Sequence, residues 1–261
     1  MAKKVKLSPQ ENFENYYKEI YKERWEILKN SLTQEPAPIN LSDELVKPYY
    51  MDQASIIASS FLPVKPGDKV LDMCAAPGGK TLNLALKLQG NGLLISNDRS
   101  ATRRGRLKKV ISSCLDENLN KIIKVTSYDA TKWMLYEKDI YDCVLLDAPC
   151  SSERHVILDS KALSQWSVQR PKRLSYQQFA MLASALEAVK IQGFVLYSTC
   201  SITPQENEKV IEKLYKKREG RFLEIPISSP IAEKCEHGQI ILPDKNENIG
   251  PLFFCLLKRI L

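Results

Sequence analysis

The apolar positions of this chain fall into two regimes. Between residues 10 and 32, Phe13, Tyr17, Tyr21, Trp25, Leu28 and Leu32 recur at spacings of three and four, with Lys18, Lys22 and Lys29 off the stripe. That is one face of a helix, and an aromatic stripe at helical spacing reads as core rather than as a base-stacking platform. Glu35-Pro36-Ala37-Pro38 then breaks the chain, so a boundary is placed near residue 40, with a helical N-terminal extension over 1–40 and one domain over 41–261. Beyond it come short apolar runs at 69–73, 93–97, 122–126, 142–146 and 193–197. Helical stretches at about 79–89, 101–114, 175–190 and 204–218 separate them. Strands alternating with helices predict an α/β fold, a doubly wound and mostly parallel sheet covered on both faces. Runs at 239–242 and 252–258, joined by a turn-rich segment, read as an antiparallel C-terminal hairpin on one edge.

Composition narrows the setting. A chain of 261 residues with 44% hydrophobic and 26% charged residues can bury one large core plus an extension. The seven cysteines are odd in number and scattered without a Cys-x-x-Cys pair, which argues for a reduced, cytoplasmic chain rather than a disulfide scaffold or a zinc site; no metal ligand set is expected. Lys3, Lys4 and Lys6 are followed at once by Glu11 and Glu14, a pattern of neither a secretory signal nor an acid-poor presequence. No apolar stretch approaches the ~20 residues needed to span a bilayer, so no membrane partner is expected. The net charge of +7 suits a polyanion. It is concentrated in three clusters: Arg99, Arg103, Arg104, Arg106, Lys108 and Lys109; Arg170, Lys172 and Arg173; and Lys213, Lys216, Lys217, Arg218 and Arg221. Each alone is an ordinary solvated helix face; three on one basic chain point towards RNA or DNA.

Candidate chemistry gathers at predicted strand ends, the edge that lines the ligand crevice of an open α/β sheet. The first run leads into Cys74-Ala75-Ala76-Pro77-Gly78-Gly79-Lys80-Thr81 and then a helix. Small residues there let backbone approach a ligand, and the helix N-terminus offers free N–H groups. The spacing is neither that of a phosphate-cradling loop nor that of a dinucleotide fingerprint. A phosphate, or the carboxylate of an amino-acid-like cofactor with Lys80 as its cation, both fit. The second run ends at Asn97-Asp98 and the third at Ser127-Tyr128-Asp129-Ala130. Either aspartate alone could cap the next helix; in register with the glycine loop they read as a nucleoside clamp, Asp98 on ribose and Asp129 on an exocyclic amine. Two thiols complete the edge, Cys150 in Asp147-Ala148-Pro149-Cys150-Ser151 and Cys200 in Ser198-Thr199-Cys200-Ser201. A thiolate is a strong nucleophile, and a structural cysteine would sit deeper in the apolar run.

Together these residues carry a resemblance. Cys-Ala-Ala-Pro-Gly-Gly-Lys-Thr, Asp-Ala-Pro-Cys-Ser and Ser-Thr-Cys-Ser followed by Pro204-Gln205-Glu206-Asn207-Glu208 resemble, in order and spacing, the RsmB/Nop/Sun family of RNA cytosine-5 methyltransferases over roughly residues 50–258. Asn97-Asp98 with Arg103, and Glu153-Arg154-His155, are most similar to the branch that includes the mitochondrial small-subunit rRNA enzyme. The resemblance implies a class I methyltransferase (Rossmann-like) sheet and S-adenosyl-L-methionine as cofactor. The loop Cys74 to Lys80 would lie in its pocket, with Gly78, Gly79 and Lys80 on the methionine end and Asp98 on the ribose. Arg103, Asp129 and Ala130 would complete that pocket, and Asp147 would lie between cofactor and target base. It also implies that Cys200 attacks the base and Cys150 aids release.

The chemistry agrees. Carbon 5 of cytosine is a poor nucleophile until a thiolate adds to carbon 6, which needs an activated cysteine. A donor at N3 is also needed, which Asp147 could supply if burial keeps it protonated. A base must then remove the carbon-5 proton. His155 could tune the thiol, contact phosphate, or be structural. The segment 151–175, with Trp166, Arg170, Lys172 and Arg173, is long for a loop and is expected to cover the RNA strand. The target must be single-stranded or flipped out. The chain ends soon after its last predicted strand without an appended RNA-binding domain, so substrate choice is expected to rest on a folded substrate such as an assembling ribosomal subunit, or on a targeting protein. The expected activity is RNA cytosine-5 methylation, of rRNA first and tRNA second. DNA methylation is disfavoured by the second cysteine, and a non-catalytic ribosome-assembly factor by the intact thiols and cofactor edge.

Overall fold

The computed structural model describes residues 7–261; Lys3, Lys4 and Lys6 lie outside the described residues. The N-terminal stripe folds as two helices where its spacing predicts one: α1 (Pro9–Tyr21) and α2 (Trp25–Thr33), joined by a 3-10 turn over Lys22–Arg24. Ser8 and Glu11 form a capping box at the start of α1, and Lys22, at φ 51°, turns the chain at its end. The stripe survives the break. Phe13, Tyr17, Trp25, Leu28 and Leu32 are buried in the same core as Leu146 and Tyr197 of the sheet. A short ribbon of β1 (Ile39–Asn40) and β2 (Tyr50–Met51), then α3 (Gln53–Ser60), follows; α3 has no apolar stripe to announce it.

The main sheet holds β3 (Lys69–Asp72), β4 (Leu93–Asn97), β5 (Ile123–Thr126), β6 (Tyr141–Asp147), β7 (Val189–Thr199), β8 (Phe222–Ile225), β9 (Glu233–Lys234), β10 (Gln239–Ile241) and β11 (Leu252–Arg259). Its order is β5-β4-β3-β6-β7-β11-β10-β9, with β8 also on β11. The strands from β5 to β7 are parallel and those beyond β7 antiparallel, as the alternation predicts. The helices are α4 (Gly79–Leu88), α5 (Ala101–Cys114), α6 (Glu117–Lys121), α7 (Glu153–Leu158), α8 (Ser160–Ser164), α9 (Gln169–Ala188) and α10 (Glu208–Lys217). Strand pleating divides the core. Leu71, Val144, Leu146, Val195 and Tyr197 face one layer with α1, α2, α9 and α10, while Val70, Leu94, Cys143, Leu145 and Leu196 face the other with α3, α4 and α5. Each such side chain contributes about 1.5–3 kcal/mol on burial. None of the described helices is long and apolar enough to cross a membrane.

The C-terminal pair β10–β11 is antiparallel and extends one side of the parallel strands, as expected, with β11 on β7 and its other side shared between β8 and β10. Two expectations change. Strand β7 starts at Val189, with Lys190–Gln192 exposed and a register shift against β6; the apolar run marks only its buried half. The segment 151–175 is not a loop. It holds α7, α8 and the start of α9, and Trp166 is core, packed on Phe13, Tyr16 and Tyr17.

Candidate active site

Strands β6 and β7 run parallel with Asp147 opposite Ser198, so the loops after them leave the sheet side by side. Cys150 and Cys200 ride on those loops, and their sulfurs stand 3.1 Å apart. That contact separates the two thiols in acidity. Cys200, as acceptor of the Cys150 hydrogen bond, is held below the usual thiol range against the opposing effect of burial. The same bond and burial push Cys150 well above it.

Asp147, at the end of β6, accepts from Lys80 Nζ at 2.9 Å and from Ser198 Oγ at 2.8 Å. Lys80 also donates to Ser55 of α3 at 3.0 Å. Burial lowers the Lys80 ammonium, but the Asp147 carboxylate outweighs it and the group lies above its ordinary value. Asp147 is therefore an acceptor in this arrangement and not the isolated buried acid of the sequence argument, because Lys80 reaches it from the first turn of α4. A cleft of about 590 Å³ opens over this pair, lined by Cys150, Cys200, Arg154, Arg103 and the Gly250–Leu252 turn.

Two smaller pockets continue the cleft along the strand ends, and Cys74 lines all three. One, of about 200 Å³, lies between the Cys74–Lys80 loop and Tyr49 and Met51. The other, of about 150 Å³, is lined by Asp98, Arg99, Tyr128, Asp129, Ala130 and Met181. Arg103 joins them, its Nη2 donating to Ala76 O at 2.7 Å and its Nε lying 3.3 Å from Asp98 Oδ2. Asp129 caps as well as lines, accepting from Thr131 N, whereas Asp98 accepts from Ser100 N and it is Ser100 that caps α5. Thr131 and Arg99 hold Asp129 below its ordinary range.

Not every sequence-singled residue joins this trough. Gly78 faces away from it, where an added Cβ would meet Val110 Cγ1 of α5 at 3.0 Å, and its φ of +127° suits glycine. Gly79 does line it: a Cβ there would meet Tyr49 Cε1 at 2.9 Å. His155 is exposed on α7, with Nε2 3.9 Å from Asp159, and lines none of these pockets.

Four residues escaped the sequence argument. Asp72, at the end of β3, is fully buried and raised to about 7 by burial, the Asp147 charge adding to it; Thr81 bonds one oxygen and Oδ1 has no partner. Arg154 donates to the carbonyls of Gln34, Asn248 and Gly250, so it ties the N-terminal segment to the C-terminal turn at the cleft rim. Glu153 and Glu206 are buried behind the two cysteines. Asp72 stands beside an assigned motif, and Glu206, Glu153 and Arg154 stand within stretches that carry the family resemblance, but nothing local indicates the contacts they make.

Residues 59–258 match the family described as 16S rRNA methyltransferase RsmB/F. The 5-cytosine rRNA methyltransferase NSUN4 of Mus musculus is 35% identical over 229 residues, covering 81% of this chain and 60% of the mouse protein. The mitochondrial tRNA (cytosine(34)-C(5))-methyltransferase of Danio rerio is 33% identical over 228 residues, covering 82% of this chain and 62% of the fish protein. The structure of NSun6 from Pyrococcus horikoshii with SFG, an S-adenosylmethionine analogue, superposes with a TM-score of 0.69 at 26% identity, covering 82% of this chain and 53% of that one. The chain spans about three-fifths of the length of the curated relatives it matches. With its three motifs on one sheet edge and the family match running through most of its length, the chain belongs to the RsmB/F family of 16S rRNA methyltransferases.

Proposed function

We propose that the protein transfers a methyl group from S-adenosyl-L-methionine to carbon 5 of a cytosine in RNA, with rRNA as substrate. The observation that carries this reading is the pair of sulfurs 3.1 Å apart at one end of a trough whose other end is a pocket lined by Asp98 and Asp129.

The residues fit the cofactor. Asp72 Oδ1, buried and without a partner beside the 200 Å³ pocket, calls for a donor such as an ammonium. Gly79 keeps that pocket open where any Cβ would collide with Tyr49. Asp98 and Asp129 offer acceptors to a ribose and an exocyclic amine, between Tyr128, Ala130 and Met181. Cys74 to Pro77, Gly79 and Lys80 line the methionine end in this reading, and Arg103 bridges it to Asp98. Bound there, S-adenosylmethionine supplies an electrophilic methyl group.

The chain's own groups supply the rest. The Cys200 thiolate adds to carbon 6, and the ring electron pair moves onto carbon 5. The Lys80–Asp147 pair faces the pyrimidine edge, with Lys80 as donor and Asp147 as acceptor. After methylation a base takes the carbon-5 proton, the C5–C6 double bond re-forms and Cys200 leaves as thiolate. The Cys150 thiol then receives it through the 3.1 Å hydrogen bond. Residues 41–261 form the catalytic domain in this reading, and the 1–40 extension buttresses it through Tyr17 and Trp25.

Seven free thiols support a cytoplasmic, reduced setting. Substrate choice is assigned to the folded rRNA or assembling subunit, or to a targeting protein. The zebrafish relative's tRNA substrate supports a second reading, tRNA methylation. Methyl incorporation by purified protein into rRNA and tRNA, with bisulfite mapping of both from cells with and without the gene, tests these. Incorporation into tRNA alone would replace rRNA as substrate; incorporation into neither would favour a non-catalytic assembly factor.

A further inference from the structure

The two cysteine loops are tied to each other by a crossed pair of buried carboxylates. Glu153, which follows Cys150, accepts from Ser201 Oγ at 2.9 Å and from Ile202 N at 3.0 Å, both on the Cys200 loop. Glu206, which follows Cys200, accepts from Ser151 N at 3.0 Å and from Ser151 Oγ, both on the Cys150 loop. Each loop thus carries the carboxylate that holds the other. Ser201 Oγ also lies 3.4 Å from Glu206 Oε1, so one hydroxyl joins the two glutamates. Outer contacts fix the pair: Tyr17 OH of α1 donates to Glu153 at 2.5 Å, and Gln178 of α9 donates to Glu206 at 2.8 Å and to Pro149 O at 2.9 Å.

From this arrangement we infer that Glu153 and Glu206 are positioning residues that set the separation of the Cys150 and Cys200 sulfurs, with Tyr17 of α1 holding Glu153. The inference rests on the proposed methyl-transfer reading only for what the sulfurs do, not for how they are held. Neither carboxylate lines the cleft, so neither is a substrate contact. Besides this clamp, Ser152 of the Cys150 loop bonds Cys200, and Gln178 spans Pro149 O and Glu206; among the described residues the last backbone bond joining the two strand ends is Ala148 N to Ser198 O at 2.8 Å. Burial raises both acids, Glu206 to about 7 with the Glu153 charge adding to it, which keeps the pair from carrying two full charges. In ordinary surface loops such spacing would fluctuate by more than the sulfur contact tolerates.

The test reads sulfur proximity directly. Diamide takes two electrons and two protons from a dithiol, and the rate at which it joins Cys150 to Cys200 in the full chain, followed by peptide mass spectrometry, needs neither RNA nor cofactor. Glu153→Ala and Glu206→Ala, confirmed folded by thermal melting, are expected to slow that coupling at least about tenfold, as a misplacement of order 1 Å would. Glu153→Gln and Glu206→Gln can keep the amide oxygen on the facing N–H and turn the amide NH2 to the serine hydroxyl, which then accepts, and are expected to stay within about threefold of the parent. A folded alanine variant that couples as fast as the parent, or a glutamine variant as slow as alanine, overturns the inference. If the alanine variants do not fold, Ser151→Ala removes one bond of the clamp and Ser201→Ala removes the hydroxyl that joins both glutamates, and coupling at the parental rate in both overturns it equally. Failure of the methyl-transfer reading leaves these rates unchanged, so the two outcomes are separable.

Discussion

Cys150 and Cys200, fifty positions apart in the chain, place their sulfurs 3.1 Å from each other because β6 and β7 end in register. The contact is asymmetric. Cys200 lies below the usual thiol range and Cys150 well above it, the split that a hydrogen bond from Cys150 to Cys200 produces. That asymmetry matches a nucleophile and a group that receives it as it leaves.

Replacing each sulfur is therefore expected to stop turnover at a different stage. Cys150→Ala keeps the attacking sulfur, though without the hydrogen bond that lowers it, and accumulates a covalent RNA adduct that survives a denaturing gel when cofactor and RNA are present. Cys200→Ala forms no adduct. Both lose on the order of 10³-fold or more in turnover, as removal of a covalent-catalysis partner does elsewhere. Adduct with Cys200→Ala and none with Cys150→Ala would reverse the assignment.

The adjacent glycines separate in what they do. Gly78→Ala places a Cβ at a φ of +127° and 3.0 Å from Val110 Cγ1, so it is expected to destabilise the fold by roughly 1–3 kcal/mol, read as a lower melting temperature without cofactor. Gly79→Ala has no such backbone strain, but its Cβ would press on Tyr49 and Met51, which wall the small pocket. It is expected to weaken cofactor binding in calorimetry with a smaller loss of stability. Equal losses of stability in the two variants would contradict this division.

What the sequence made legible was whatever repeats with a short period or sits beside a motif. The apolar runs at 93–97 and 142–146 and the stripe from Phe13 to Leu32 sit in the core where their periodicity puts them, because burial is their only physical demand. Cys150, Cys200, Lys80, Asp98 and Asp129 share one edge because parallel strands deliver their ends together. Trp166 was misread as part of an RNA-covering loop, since its partners Phe13 and Tyr17 are distant in sequence and only tertiary packing makes it core. The crossed bonds of Glu153 and Glu206 left no local signal for the same reason: each partner lies about fifty positions away.

Lys80 is held between Asp147 and Ser55, so its removal leaves Asp147 with Ser198 alone at the cleft floor. Lys80→Met retains the apolar stem and deletes the charge. The variant is expected to fold, to lose about 10- to 100-fold in kcat and to lose less in RNA affinity, since the cation stabilises charge on the ring during attack rather than the free RNA. Single-turnover rates against RNA binding by filter retention separate the two; an effect confined to binding would make Lys80 a simple phosphate contact.

Asp72 links the cofactor pocket to pH. Its carboxyl is raised from 3.8 to about 7 by burial, helped by the charge of Asp147 and opposed by the Thr81 hydrogen bond and Lys80. A group with a folded pKa above its unfolded one stabilises fully below the unfolded value, and that stability is lost as pH rises through the folded value. Between about pH 5 and pH 8 the wild-type chain is therefore expected to lose roughly 3 kcal/mol more stability than Asp72→Asn, which carries no titrating group but keeps an acceptor for Thr81. Cofactor affinity should run the other way. Asp72 Oδ1 has no partner, and as a carboxylate it attracts an ammonium, so wild-type binding is expected to tighten as pH rises through about 7 while Asp72→Asn binds weakly and without that inflection. Urea denaturation across this pH range, paired with calorimetric titration of S-adenosylmethionine, measures both. A variant that matched the wild-type chain in its affinity–pH curve would remove Asp72 from the pocket's chemistry and leave it a buried acid of the fold.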